Sequence, residues 1–169
     1  MHDFSFLNSK CAFPEPASAE KAALGLEHWL EATEAAGLSD LGKQSISDPH
    51  ARKALEGIFG NSQFLTASIL RDPNFTYKLL TTDPSQTLEG IIDGLNHHHA
   101  APLDNETLSR LLRVAKREMA LTVALADIAG LWPLGKITGA LSEFAEAALR
   151  LASVHVLRET AEQGGFTLT

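Results

Sequence analysis

The chain has 169 residues, with a hydrophobic share of 44%, a charged share of 21% and a formal net charge of −7. This length and composition suit one globular domain with an apolar core of its own. The acidic balance, with no Lys/Arg run longer than two residues, argues against nucleic acid or an anionic membrane as the main partner. Cys11 is the only cysteine and no segment approaches roughly 18 consecutive apolar residues, so we predict a soluble, cytoplasmic protein without a disulfide or a membrane helix.

Residues 1–17 are predicted to form an irregular N-terminal arm. Ser18 is a typical N-cap, so a helix is predicted from there to about Ala36, where Gly37 would end it. The residues expected to face the core from this helix are Leu24, Trp29 and Leu30. The polar residues 38–47 that follow are predicted to be a connector.

Three Asp-Pro pairs then divide the middle of the chain. They are Asp48-Pro49, Asp72-Pro73 and Asp83-Pro84. Proline lacks the backbone N–H, suits the first helical position and disfavours a helical residue before it, so each pair indicates a break between helices. The predicted short helices lie near 49–58, 62–71, 73–82 and 84–98. We interpret the three aspartates as helix caps rather than as catalytic groups.

Residues 105–155 are predicted to form two long helices joined at Trp132-Pro133. Small and apolar residues recur every three or four positions along each helix, which places them on one face. In the first helix this face consists of Leu108, Leu112, Ala115, Met119, Thr122, Ala126 and Ala129. In the second it consists of Ile137, Leu141, Phe144, Ala148, Leu151, Ala152 and His155. The later half of the first helix is apolar nearly all round, which is typical of a central helix.

These elements together predict an all-α fold. We expect a multi-helix bundle built on a long C-terminal helical hairpin, with several short helices packed around it. The helical domain is expected to cover residues 18–163, followed by a short tail at 164–169. The Asp-Pro pairs are irregularly spaced, so they do not indicate a repeat array.

Few side chains could carry chemistry. His97-His98-His99 could bind a metal ion, but consecutive histidines at a helix end point in different directions, which favours a solvated helix terminus. His155 is expected to be a core histidine with a partner, and Cys11 has no neighbouring base. No Gly-x-Ser-x-Gly or P-loop pattern occurs. A two-metal site would favour two aspartates separated by one residue, and the sequence contains no such pair. We therefore predict no catalytic, cofactor-binding or metal-binding residue in this chain.

Arg110, Arg113 and Arg117 form a basic ridge along one side of the first long helix. One interpretation is a solvated face that Glu106 and neighbouring acidic helices balance. The other is a docking surface for an acidic neighbouring domain or partner. The sequence leaves both interpretations open.

Three ordered stretches resemble a bacterial enzyme family. The residues GNSQFL at 60–65, followed by LRDP at 70–73, are similar to its GNSPFL…LRDP element. The residues KREM at 116–119 and ALADIAGLW at 124–132 resemble its (K/R)RE…AL.DL.G.W helix, and LSEFAE at 141–146 stands where the family has LS.LAD. The family is glutamine synthetase adenylyltransferase/adenylyl-removing enzyme, and the resemblance covers roughly residues 50–155. Gln63 and Glu146 depart from the family pattern.

The resemblance implies a large bifunctional parent enzyme whose nucleotidyltransferase domains add AMP to glutamine synthetase and remove it. It further implies Mg and ATP as cofactors of the parent, regulation by the PII signalling protein, and a helical segment preceding the first, deadenylylating domain. We therefore expect this chain to be the non-catalytic N-terminal helical part of such an enzyme. Its expected partners are the missing nucleotidyltransferase domain and, through the parent, glutamine synthetase and PII.

Four polar residues in the matching stretches are candidates for structural or inter-domain contacts, because polar groups among apolar helices need partners when buried. They are Asn61, Ser62, Arg117 and Asp127. An alternative hypothesis is a free-standing all-α protein-interaction module that binds a partner helix through an exposed apolar groove. A weaker alternative is a metal protein that uses the three consecutive histidines.

Overall fold

The computed structural model describes residues 4–8, 11–98 and 103–164. Within these ranges the chain forms eight helices and no strand, so the predicted all-α fold is confirmed. In chain order the helices are α1 (Ala19–Ala35), α2 (Ser39–Ser47), α3 (Pro49–Asn61), α4 (Gln63–Arg71), α5 (Pro73–Thr81), α6 (Pro84–His97), α7 (Asn105–Ile128) and α8 (Leu134–Glu162). None of these eight helices is long and apolar enough to span a bilayer.

The predicted Asp-Pro breaks are confirmed as helix starts. Asp48, Asp72 and Asp83 are the N-caps of α3, α5 and α6, and each is followed by proline in the first turn. Their carboxylates accept hydrogen bonds of 2.7–3.0 Å from backbone N–H groups of that turn. Ser18 caps α1 in the same way, and Gly37, with a φ of +74°, follows the end of that helix. Local chemistry therefore defines most of the helix boundaries.

The prediction of a connector at residues 38–47 is wrong, because most of this segment is helix α2. Leu41 is fully buried. The buried indole of Trp29 on α1 donates from Nε1 to Ser45 Oγ at 2.9 Å. The serine hydroxyl thus satisfies the N–H group of the indole. α2 is stabilised by these contacts with α1, which its polar composition did not predict.

The predicted core face of α1 is only partly right. Trp29 is fully buried, but Leu24 and Leu30 are exposed. Gly25 allows α3 to approach closely, because a Cβ at that position would lie 2.5 Å from the Phe59 ring. The remaining buried residues of α1 are Ala22, Leu26 and Thr33. The buried side of α1 therefore combines small residues, which let α3 approach, with Leu26 and Trp29, while Leu24 and Leu30 remain exposed to solvent.

The helices form two groups that share one apolar core. α1 packs against α2, α3 and α4, whereas α7 packs against α4, α5, α6 and α8. Since α4 contacts both groups, it joins the first half of the chain to the second. The large side chains that are fully buried include Trp29, Leu41, Leu55, Ile69, Met119 and Leu125.

The predicted N-terminal arm packs onto this bundle. Its described residues, 4–8 and 11–17, form no helix. The Ala12 N–H donates to the Ala129 carbonyl at the end of α7, at 3.3 Å. Three residues of the segment belong to the apolar core, namely Phe4, Leu7 and Phe13. The segment is therefore anchored to the bundle.

The predicted C-terminal hairpin is confirmed. α7 and α8 are joined by a short turn in which Gly130 has a φ of +67°. At the other end of the hairpin, Asn105 Oδ1 lies 2.8 Å from His155 Nε2, and Asn105 Nδ2 donates to Glu159 Oε1 at 3.0 Å. His155 is half-buried, and Asn105 is its hydrogen-bond partner.

The two helices of the hairpin bear out the predicted faces to different degrees. Most of the predicted face of α7 is buried, but that of α8 is only partly right. Ile137 and Leu151 are buried, whereas Leu141 is exposed and Ala140 and Ala147 are buried instead. Small side chains let neighbouring helices approach closely, so α8 turns alanines rather than the predicted leucine toward the core.

Candidate functional site

Asn61 ties the N-terminal segment to the end of α3, which continues past its predicted end at residue 58. Its Nδ2 donates to the Gly57 carbonyl at 2.8 Å and to the Glu15 carbonyl at 3.0 Å. Its Oδ1 accepts from the Ala17 N–H at 3.0 Å. One side-chain amide therefore satisfies both its donors and its acceptor within this chain.

Ser62 forms the corner between α3 and α4. Its backbone is extended, with φ −136° and ψ 104°, so it ends one helix and begins the next. Its Oγ accepts from the Leu65 N–H at 3.3 Å as the N-cap of α4. Gln63, where the related pattern has proline, is the first residue of α4, a position at which either residue can be accommodated.

Arg117 on α7 forms an ion pair with Asp72 at the corner between α4 and α5. Nη2 of Arg117 lies 2.5 Å from Oδ2 of Asp72, and the two side chains are 17% and 27% exposed. The other carboxylate oxygen, Oδ1, accepts from the Phe75 N–H at 3.0 Å. Asp72 therefore caps α5 and attaches that helix to α7 with the same carboxylate. Sequence reasoning identified Asp72 only as a cap, because its partner is 45 residues away.

Glu118 is a neighbour of this pair that sequence reasoning did not single out. Burial raises the pKa of its carboxyl, and the negative charge of Asp72 raises it further. The positive charges of Arg117 and Lys78 partly offset this effect. Nε of Arg117 is buried, and no atom of the described residues forms a hydrogen bond with it. Asp72, Arg117, Glu118 and Lys78 therefore form a small charged cluster where α5 meets α7.

Asp127 lies apart from the other three candidates. It is exposed near the end of α7, and its backbone carbonyl accepts from the Gly130 N–H at 2.9 Å. Ten residues separate it from Arg117 on the same helix, which corresponds to about 15 Å along the helix axis. The fold therefore places the four candidates at three separate points, and only Asn61 and Ser62 are adjacent.

The side chains considered for chemistry do not converge. Among residues 4–8, 11–98 and 103–164, no three His, Cys, Asp or Glu side chains are placed to hold a metal ion. The rings of His97 and His98 meet edge to face with centroids 6.4 Å apart, while His99 lies outside the described residues. Cys11 is half-buried, and its Sγ donates to the Phe6 carbonyl at 3.6 Å.

The most unusual surface in the described part of the chain is a row of apolar side chains on α8. This row, the α8 stripe, consists of Leu134, Leu141, Ala145, Leu149, Ala152 and Val156. Their spacing places them on one side of the helix. Leu134 is 75% exposed and Leu149 is 69% exposed. Thr138 interrupts the row between Leu134 and Leu141. Single exposed leucines are common, but an apolar row of this length is typical of a surface that contacts a partner.

The α8 stripe is distinct from the side of α8 that packs on the bundle. At 3.6 residues per turn the two sides are about 120° apart around the helix axis. The third side carries polar residues, including Glu143, Glu146 and Arg150. α8 therefore has two apolar sides, of which the described bundle covers one.

A family model described as glutamate-ammonia ligase adenylyltransferase matches residues 52–169. A bifunctional glutamine synthetase adenylyltransferase/adenylyl-removing enzyme from Bradyrhizobium sp. (strain ORS 278) is 34% identical over 153 residues, covering 90% of this chain and 15% of the relative. An enzyme of the same name from Caulobacter vibrioides is 34% identical over 114 residues, covering 68% of this chain and 12% of the relative. This chain therefore spans only a small part of the length of these relatives. No solved structure matches it.

Proposed function

This chain belongs to the glutamate-ammonia ligase adenylyltransferase family, and we propose on this basis that it is a non-catalytic N-terminal helical part of a larger adenylyltransferase/adenylyl-removing enzyme. Such a parent would regulate nitrogen assimilation in the cytoplasm by adding AMP to glutamine synthetase and removing it. We place the reaction, with its Mg and ATP, on nucleotidyltransferase domains elsewhere in the parent. This assignment is supported by the sequence, in which no two aspartates are separated by one residue.

The family match carries this proposal, and the α8 stripe is the structural feature that supports packing against a further domain. α8 has 29 residues and is about 43 Å long, and the stripe follows it from Leu134 to Val156. Interfaces that form permanently within one protein resemble a hydrophobic core cut in half. We therefore propose that the α8 stripe of this chain is the surface on which the nucleotidyltransferase domain packs.

The polar candidates would have two different roles in this assembly. Asn61, Ser62 and Arg117 have their partners within this chain, so they would hold the bundle rigid behind the stripe. Asp127 is exposed and remains the candidate for a contact between domains. Contacts of the parent with PII and glutamine synthetase are proposals that no residue of this chain specifies.

The alternative is a free-standing interaction module whose stripe binds a helix of another protein. Ala152, Ser153, Val156 and Leu157 line a shallow depression at the C-terminal part of the stripe, and such a depression suits an apolar side chain of a bound helix. The two proposals differ in what covers the stripe, either the same polypeptide or a separate one.

Thiol labelling can distinguish them. In a Cys11→Ser background, Leu149→Cys would place a thiol on the stripe and Glu146→Cys a control thiol on the polar side of α8. We expect Leu149→Cys to react quickly with maleimide in this chain and slowly in a longer product that includes the coding sequence downstream, while Glu146→Cys reacts equally in both. Equal rates for Leu149→Cys in both products would refute the intramolecular assignment and favour the free-standing module.

A further inference from the structure

A second surface, on a different part of the bundle, is positively charged. Residues of α4 and α7 line an open groove of about 660 Å³, which we call the α4–α7 groove. Five cationic side chains line it, namely Arg71, Arg110, Arg113, Lys116 and Arg117. These are five of the 14 Lys and Arg residues of a chain whose net charge is −7. The local charge of the groove is therefore opposite to that of the whole chain.

Four of these five cations have no ion-pair partner among the described residues. Arg117 pairs with Asp72, but no carboxylate of the described residues lies within 4.0 Å of the other four cations. All four are exposed. Clustered like charges repel one another and attract a partner of opposite charge. The groove is thus electrostatically suited to carboxylates or phosphates.

The groove also has an apolar part, which a purely ionic site would not need. Phe64 on α4 is 64% exposed, and it lines the groove together with Ala67, Val114 and Ala120. α4 contributes residues 64, 67, 68 and 71, an i, i+3, i+4, i+7 pattern, so one side of that helix forms one wall. A groove between two helices, with apolar and charged walls, has the form that receives an amphipathic helix.

We propose that the α4–α7 groove binds an acidic amphipathic helix of a separate protein. Carboxylates of that helix would pair with Arg110, Arg113 and Arg71, whose planar guanidinium groups can form two parallel hydrogen bonds with a carboxylate. An apolar side chain of the same helix would pack against Phe64. This proposal does not depend on what covers the α8 stripe.

A separate protein is favoured over a neighbouring part of the same polypeptide by the character of the surface. Exposed guanidinium groups are well hydrated when the groove is empty, which suits a partner that binds and leaves, whereas a permanent interface is more apolar. Nucleic acid is disfavoured because the chain as a whole is acidic and, among the described residues that line the groove, only Phe64 is aromatic.

The test uses a fluorescein-labelled synthetic peptide of about 18 residues, five helical turns, with glutamates on one side and leucines on the other. Binding to this chain is measured by fluorescence anisotropy. The test variant is Arg110→Glu with Arg113→Glu, and the control is Arg150→Glu on the polar side of α8. All three sites are exposed, and circular dichroism verifies that each variant keeps the wild-type fold.

We expect the double variant to raise the Kd at least about tenfold, corresponding to about 1.4 kcal/mol, and the control to leave it unchanged. Binding should also weaken as salt is raised from about 50 to 200 mM. A peptide in which glutamine replaces every glutamate should bind much more weakly. Equal binding of the two peptides, equal affinity of the double variant, or tighter binding of a single-stranded oligonucleotide would each overturn the proposal.

Discussion

Replacing Asp72 with alanine should destabilise the chain by more than the loss of one helix cap. The substitution removes the cap of α5, which is worth about 1 kcal/mol. It also leaves Arg117 without its carboxylate, and an unsatisfied buried polar group costs about 1–3 kcal/mol. Because the two side chains are 17% and 27% exposed, water compensates in part, and we take about 1–2 kcal/mol for this second loss. The expected total is about 2–3 kcal/mol.

Two further variants separate these contributions in urea unfolding followed by circular dichroism. Asp48→Ala removes an equivalent aspartate cap before proline on α3. Asp48 forms no ion pair with any described residue, so this variant should cost only about 1 kcal/mol. Asp72→Asn retains a capping side chain but loses the charge, and it should cost about 1–2 kcal/mol. If Asp72→Ala proves no more destabilising than Asp48→Ala, the ion pair makes no net contribution and the reasoning is refuted.

Two other substitutions test the charged cluster around Glu118 and the contact between the N-terminal segment and α3. The pKa of Glu118 is raised in the folded chain, so its contribution favours folding below the unfolded pKa and is lost as the pH rises through the folded one. Glu118→Gln should therefore be more stable than wild type near pH 7 and lose that advantage near pH 4; an advantage that grows on acidification would contradict this sign. Gly60→Ala should lower the free energy of unfolding by about 1–3 kcal/mol, because the new Cβ would lie 2.3 Å from Cβ and 2.8 Å from Cα of Pro16. The matched control is Gly94→Ala on α6, where nothing lies within 4 Å of the new Cβ, and equal melting temperatures for the two variants would contradict the clash.

The sequence predicted the helix boundaries well where their chemistry is local. Asp48, Asp72 and Asp83 each cap a helix by accepting from N–H groups two or three residues away, so the sequence alone is enough to predict these caps. The ion pair of Asp72 and the ties of Asn61 connect residues that are 44 to 46 positions apart. Their sequence motifs marked these residues as noteworthy, but only the folded chain shows their partners.

Two other features depend on packing in ways that composition conceals. α2 has few apolar residues, and its position depends on the indole of Trp29, which belongs to α1. α8 carries two apolar rows, and periodicity alone cannot tell which row faces the bundle. The predicted face shares Ile137 and Leu151 with the buried side but also includes Leu141; the buried side is instead rotated toward Ala140 and Ala147, which allow a close approach to α6 and α7.

The anchored N-terminal segment has a consequence for how the chain is made. Ala12 leaves the ribosome roughly 120 residues before Ala129, its hydrogen-bond partner at the end of α7. At typical rates of synthesis the delay is on the order of ten seconds. During this time Phe4, Leu7 and Phe13 have no completed core to enter, so the nascent chain presents three apolar side chains to whatever binds emerging polypeptides. Phe4, Leu7 and Phe13 are thus synthesised well before α7 but reach their native positions only after it.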